Sequence, residues 1–259
     1  MAEMVTLAFT ISSYRLCDFV HLGLKQLRKL TPESPILVSD DVSPESRGIA
    51  SHASQHCAQY LPTRIRKGHF SGDFQSLVNA LVFAESQGAD VAVKVSQRFI
   101  FRKPESIDVI RKTFSDPNIM VATPGQMSYV NGHASKASRS FALFSILSDV
   151  VMIRVGSISA QELLEMYRHR LRTETVQWAA FIEAAVDDLH SRKFPGRTAK
   201  IQELTNPVDP ADPIYLRRHQ HSSEDYKNLG SEHGIGGAFD CREWGAIELR
   251  RYLCKPRVV

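Results

Sequence analysis

The chain has 259 residues, 43% hydrophobic and 23% charged, with a formal net charge of +4. That balance excludes a disordered or fibrous protein and allows one large domain. The mildly basic charge suits a protein that handles phosphates or approaches an anionic membrane surface, while the lack of a dense Lys/Arg run with interleaved aromatics argues against nucleic-acid binding.

Met4 to Ile11 is short, apolar and rich in β-branched and aromatic residues, the pattern of a buried strand. Leu16 to Leu30 carries apolar residues at helical spacing, with Asp18 near its start and Arg28 and Lys29 in its last turn, and Thr31-Pro32 ends it. Pro35 to Ser39 predicts a second strand, closed by Asp40-Asp41. Ser43-Pro44-Glu45 then opens a second helix, its proline at a tolerated early position. Gln59 to Pro62 reads as a short strand, and Gly72 to Gln87 as a helix with Leu77, Val78, Leu81, Val82 and Phe83 on its buried side. Asp90 to Val95 predicts a central strand, Pro104 to Phe114 a helix and Asn118 to Thr123 another strand. This βαβα order predicts an α/β fold with a mostly parallel, doubly wound sheet flanked by helices. Ligands of such sheets sit beyond the carboxyl ends of the strands, which directs attention to the loops at 10–15, 40–43, 67–73 and 96–101.

The second half is less regular. Phe141 to Val155 offers strand material, and Ala160 to Arg172 and Thr173 to Arg192 read as two helices. After Phe194-Pro195-Gly196 the pattern dissolves into Asn-Pro and Asp-Pro turns, and Tyr215 to Val259 reads as a polar, loop-rich tail. Cys17, Cys57, Cys241 and Cys254 form no C-x-x-C pair, so reduced thiols are expected. No apolar run reaches the roughly 18 residues of a membrane-spanning helix, and the start lacks a basic leader. These signals predict a cytoplasmic chain whose membrane contact, if it has any, is peripheral.

Three short motifs then stand in order: Thr10-Ile11-Ser12-Ser13-Tyr14-Arg15 after the first strand, Ser39-Asp40-Asp41-Val42-Ser43 after the second, and Asn79-Ala80 in a helix leading through Gly88-Ala89-Asp90 into an apolar strand. Together they resemble the nucleotide-binding portion of a GT-A-type glycosyltransferase of the family-2 kind, over residues 4–125. The resemblance implies a nucleotide-sugar-binding half at 1–125. It also implies an acceptor-binding, C-terminal helical portion at 126–259 in the same domain.

By the same resemblance, Asp40 and Asp41 hold the ribose or base, through the hydrogen bonds that a carboxylate accepts from hydroxyl or N–H groups. Thr10, Ser12 and Arg15 match the loop lining the nucleotide site. The alternative for the Asp pair is a turn cap, and for the loop residues an ordinary helix entry.

One departure is visible. Where the family places a D-x-D that holds a divalent cation against the diphosphate, this chain has Lys94-Val95-Ser96-Gln97-Arg98. The expectation is a transferase with no divalent metal, in which Lys94, Gln97 and Arg98 contact the phosphates instead. Loss of catalysis, or a different placement of the motif, would also account for the sequence.

Asp73 sits at a helix start, where it serves a ligand or simply the helix dipole. As a base toward an acceptor hydroxyl, the resemblance offers Asp149 after the apolar run. The residue pattern itself offers Glu183 among apolar neighbours, with Glu174 a lesser candidate and Trp178 able to stack on a sugar. GT-A enzymes often return a C-terminal segment over the diphosphate, and Arg217, Arg218, His219 and Lys227 are available for that. His219, His221 and His233 follow no compact zinc spacing.

The function so implied is transfer of a sugar from a nucleotide-sugar donor to a glycan, glycolipid or other glycoconjugate acceptor, with polysaccharide assembly as its setting. A noncatalytic sugar- or nucleotide-binding domain is the alternative. A nucleotidyltransferase is disfavoured because TISSYR contains no glycine for a phosphate-cradling loop.

Overall fold

The computed structural model describes residues 4–65, 67, 69–125, 149–173, 182–205, 209, 212–217, 220–237 and 239. Its centre is β1 (Leu7–Ser13), flanked by β2 (Ile36–Asp40) and β4 (Val91–Ser96), both parallel to it. The seven-stranded sheet of the described residues runs β3-β2-β1-β4-β7-β6-β8, where β3 is Gln59–Pro62, β6 Val121–Pro124, β7 Val150–Arg154 and β8 Thr198–Ile201. β3 joins β2 in parallel and β8 joins β6 in parallel, whereas β7 runs antiparallel to both β4 and β6. The expected α/β class with a mostly parallel sheet is what the chain forms. A two-stranded ribbon, β5 (Phe99–Phe101) with β9 (Tyr215–Arg217), lies beside it.

The helices fill both faces, because odd and even residues of the buried strands are both apolar. Phe9, Ile11, Val93 and Val95 point into one core with α1 (Cys17–Leu30), α2 (Ser46–Gln55) and α4 (Glu105–Phe114). Ala8, Leu37, Ala92 and Val151 point into the other with α3 (His69–Ser86), α5 (Ala160–Thr173) and α6 (Ile182–Asp188). A third cluster joins Phe19 and Leu22 of α1 and Ile100 of β5 to Leu216, Tyr226, Leu229, Ile235 and Phe239 of the C-terminal region, where α7 is Ser223–Glu232.

Most expected elements of the first half lie within a few residues of the observed ones, although α3 begins three residues before Gly72. The differences fall in the second half. β8 and β9 form where loop and polar tail were expected, since strands of four and three residues are too short to show a period. The helix expected over 173–192 is observed as α6 followed by a π-turn at Leu189–Lys193, and residues 174–181, with Glu174 and Trp178, lie outside the described part. The buried Arg170 guanidinium grips Asp188 through two bonds of 2.7 Å and ties α5 to α6. No helix among the described residues is long and apolar enough to cross a membrane.

Candidate nucleotide-binding site

On the α3-facing side, β1, β2 and β4 begin apolar (Ala8, Leu37, Ala92) and turn polar toward their carboxyl ends (Thr10 and Ser12, Ser39, Lys94 and Ser96). Polar positions with period two inside a buried sheet need partners, and α3 supplies them. Asp73 accepts from the Ser12 hydroxyl at 2.7 Å and from the Lys94 ammonium at 2.7 Å. Lys94 is fully buried, and Asp73 is 18% exposed at its side chain. Further along α3, Asn79 donates to the Ser39 hydroxyl at 2.9 Å, and Ser76 lies 3.1 Å from the same oxygen.

The loops at these strand ends are held in strained conformations. Arg15 and Leu16 both have φ near +60° (60° and 59°), and Val42 has φ 52°, which a β-branched residue rarely adopts. The surroundings compensate: Gln97 clamps Tyr14 from both sides, accepting from its amide and donating to its carbonyl at 3.0 Å each, and the Arg15 amide donates to the Ser43 hydroxyl at 2.9 Å. Asp40 is buried, accepts from the Ser43 amide at 3.1 Å and the Tyr60 hydroxyl at 2.9 Å, and burial raises its pKa. Asp41 accepts from the Lys67 amide at 2.7 Å and the Thr63 hydroxyl at 3.2 Å, fastening the β3–α3 loop to the end of β2. Beside that loop a cleft of about 280 Å³ is lined by Leu61, Pro62, Thr63, Arg64, Ile65, Lys67, Gln75 and Asn79.

On the opposite side, Asp149 directly precedes β7 and meets the end of β4. Its carbonyl accepts from the Ser96 amide at 2.7 Å, and its carboxylate faces the Ser96 hydroxyl at 3.3 Å and the Arg217 guanidinium. Arg217 lies on β9, 68 residues further along the chain, and is 1% exposed.

The fold therefore brings Ser12, Arg15, Asp40, Asp41, Asp73, Gln97, Asp149 and Arg217 to the carboxyl end of one sheet. Others of the expected residues stand differently. Thr10 is fully buried within β1, and Lys94 is engaged by Asp73 beneath the surface. Arg98 lays its guanidinium 6.0 Å from the Phe19 ring centroid, in contact with the third cluster. Lys227 faces Glu224 one turn away on α7, at 3.7 Å, on an exposed surface. Glu183 occupies the first turn of α6, in the layer with α3 and α5. Arg218 and His219 lie outside the described residues. Sequence reading missed Tyr60 and Thr63, whose only signal was their place at the end of an edge strand.

No protein-family model matches the sequence, and no curated protein matches it. Solved structures do match the fold. A cytidylyltransferase from Leptospira borgpetersenii serovar Hardjo-bovis superposes with TM-score 0.53 at 12% identity, over 96% of this chain and 95% of that one. A glycosyltransferase involved in glycosylating the major capsid of PBCV-1 gives 0.52 at 12%, over 88% and 99%. Glucosyl-3-phosphoglycerate synthase from Mycobacterium tuberculosis, in complex with Mn²⁺, UDP and glucosyl-3-phosphoglycerate, gives 0.53 at 12%, over 90% and 82%. At such identities these likenesses define the fold, which is GT-A-like.

They also correct one expectation. A GT-A-like neighbour holds Mn²⁺ together with its nucleotide, so the reading that no divalent metal takes part does not stand. The physical reason is that a divalent ion at a diphosphate takes ligands from phosphates and water and needs as few as one or two protein carboxylates. A missing D-x-D pair does not remove it. Among the described residues, no three His, Cys, Asp or Glu side chains group as metal ligands. The strand-end carboxylates Asp73 and Asp149 are already paired with Lys94 and Arg217. The described residues alone thus do not compose a metal centre.

Proposed function

We propose that this chain is a glycosyltransferase that moves a sugar from a nucleotide-sugar donor to a glycan or glycoconjugate acceptor. The observation that carries the reading is the convergence of Arg15, Asp40, Asp41 and Asp73 at the carboxyl ends of β1, β2 and α3's partner strands, with Asp149 facing them across β4. In this reading residues 1–125 are the donor half and 126–259 the acceptor half of one domain.

Asp40 and Asp41 take the nucleoside, with the neighbouring cleft receiving the base against Leu61 and Ile65. The cations Arg15, Arg64 and Lys67 meet the phosphates. Asp149 accepts the proton of the acceptor hydroxyl while that hydroxyl's oxygen bonds to the anomeric carbon. The bond from that carbon to the diphosphate breaks, and the electron pair leaves with the nucleoside diphosphate. Cytidylyl transfer shares the fold, but the β1–α1 turn, Ser13-Tyr14-Arg15-Leu16, offers no glycine for close backbone approach to a triphosphate.

The test is a thermal-shift panel of UDP-, GDP-, CMP- and dTDP-sugars, each with EDTA and with Mn²⁺. A ligand that binds only the folded chain raises Tm with its concentration over its Kd. One nucleotide class should stabilise the protein, with the metal dependence read from the paired arms. Stabilisation by no donor would remove this reading and leave the noncatalytic one.

A further inference from the structure

Among the described residues two arginines are buried, Arg170 and Arg217, and Arg170 spends Nε and Nη2 on the Asp188 carboxylate at 2.7 Å each; two half-buried arginines, Arg28 and Arg154, serve the backbone. Arg28 donates to four carbonyls, those of His56, Pro32, Ser34 and Cys57, at 2.6 to 3.0 Å. Arg154 donates to the carbonyls of Ile119, Phe114 and Asp116 at 2.7 to 2.9 Å. Both close loops. Arg217 differs: at 1% exposure it spends Nη2 on Asp149, while Nε and Nη1 have no hydrogen-bond partner among the described residues. Burying unpaired N–H groups costs stability, and a residue serving the fold alone is expected to find partners for them, as the buried Arg170 does on Asp188.

The chain makes a considerable effort to deliver this side chain. The β5–β9 ribbon sets Arg217 opposite Phe99, and the Tyr215 ring stacks on Phe99 at 5.0 Å with 9° between planes. The Tyr215 hydroxyl donates to the Thr205 carbonyl at 2.6 Å, and the Arg217 amide donates to His221 Nδ1 at 2.9 Å. Among the described residues, the guanidinium held so firmly bonds to one functional group, the Asp149 carboxylate. Its other oxygen faces the Ser96 hydroxyl, and its side chain stays 25% exposed.

We propose that Arg217 is a positioning residue for the transfer reaction: it and Ser96 fix the Asp149 carboxylate, so that its partly exposed side chain is held in one orientation toward the acceptor hydroxyl. This rests on the transferase reading. It assigns the C-terminal segment an indirect part in catalysis, through Asp149, in place of the direct diphosphate contact expected from sequence.

The test uses the full chain with the donor found by thermal shift and measures sugar release or transfer for wild type, Arg217→Lys, Arg217→Met, Arg217→Ala and Ser96→Ala, with Tm for each. Misplacing a reacting group by about 1 Å costs on the order of 100-fold, so Arg217→Met should lose about that in kcat while the donor KM changes less than about threefold. In Arg217→Ala, which vacates the space of the side chain, added guanidinium at low concentration should restore roughly tenfold of the loss, a rescue that a structural defect would not show. Arg217→Lys, which keeps the charge on a flexible stem, should fold and lose about tenfold in kcat.

Unchanged kcat in folded Arg217→Lys and Arg217→Met would overturn the proposal, as would a loss carried by donor KM. If Arg217→Met fails to fold, Arg217→Lys and Ser96→Ala decide the matter by the same kcat-against-KM split. Wild type that binds no donor overturns the transferase reading, and this inference with it. Wild type that turns over with Arg217 dispensable overturns this inference alone.

Discussion

At the residue scale, Gly72 shows how close the packing behind the proposed nucleotide site is. A Cβ built there would stand 2.7 Å from Asp41 Oδ2 and 2.9 Å from its Cγ, so nothing larger than glycine leaves the carboxylate where it is. Alanine would favour the helix by up to about 1 kcal/mol, yet it must push Asp41 away from Thr63 and the Lys67 amide. Gly72→Ala should therefore keep Tm within a few degrees while weakening nucleotide binding about tenfold, measured by calorimetric titration. Equal affinity in both proteins would mean that Asp41 has no part in binding. Lys94 carries a related lesson. Its sequence position beside the missing acidic motif suggested a phosphate ligand, but a side chain in the middle of a buried strand has no route to solvent and pairs with Asp73 instead.

At the element scale, α7, the last helix of the described residues, is the part whose role was least expected. Its first turn is a capping box: the Ser222 hydroxyl accepts from the Asp225 amide at 3.3 Å, and the Asp225 carboxylate accepts from the Ser222 amide at 2.6 Å. Tyr226 then packs edge-on against Phe19 of α1, with centroids 4.9 Å apart, and its hydroxyl donates to the Arg98 carbonyl at the β4–β5 turn. The helix thus props the turn that carries Gln97 and Arg98. Ser222→Ala should cost about 1 kcal/mol of stability in urea unfolding, from the lost cap. A loss well below that would mean that packing on Phe19 holds the helix without its cap. The S-S-E-D sequence at 222–225 carries the cap signal, but the polar residues around it hid the three buried positions, Tyr226, Leu229 and Gly230.

At the scale of the whole molecule, histidines set the response to acid. His21 stacks on His52 at 3.9 Å and lies 5.3 Å from His56, with Lys25 and Arg28 alongside. Burial first, and then these positive neighbours, lower the His21 pKa from 6.5 to about 4 and lower that of His56 as well. His190 is lowered to about 4, chiefly by burial, and His221 and His233 shift the same way. Each such group binds protons more readily in the unfolded chain. The stability it contributes is complete above 6.5 and is lost as pH falls from there toward 4. Asp40, raised by burial, acts in the opposite sense, but as a single group. Tm should thus fall by several degrees (~5 °C) between pH 7.5 and 5, and His21→Gln should flatten the curve. A flat wild-type profile would show that the cluster opens to water without cost.

The α/β class, the order of elements through the first half, and the placing of Asp40-Asp41 and Ser12 to Arg15 at strand ends were all legible in the residue pattern. Those follow from local periodicity and from the rule that parallel strands deliver their following loops to one edge. Tertiary structure alone decided that Lys94 is consumed by Asp73, that Arg98 lies against Phe19, and that Asp149 and Arg217 meet across 68 positions. Such pairings depend on strand register and on which face each residue occupies, and neither leaves a local period to read. The short strands β5, β8 and β9 were hidden for the same reason: three or four residues gain their stability from the partner they pair with, not from a pattern of their own.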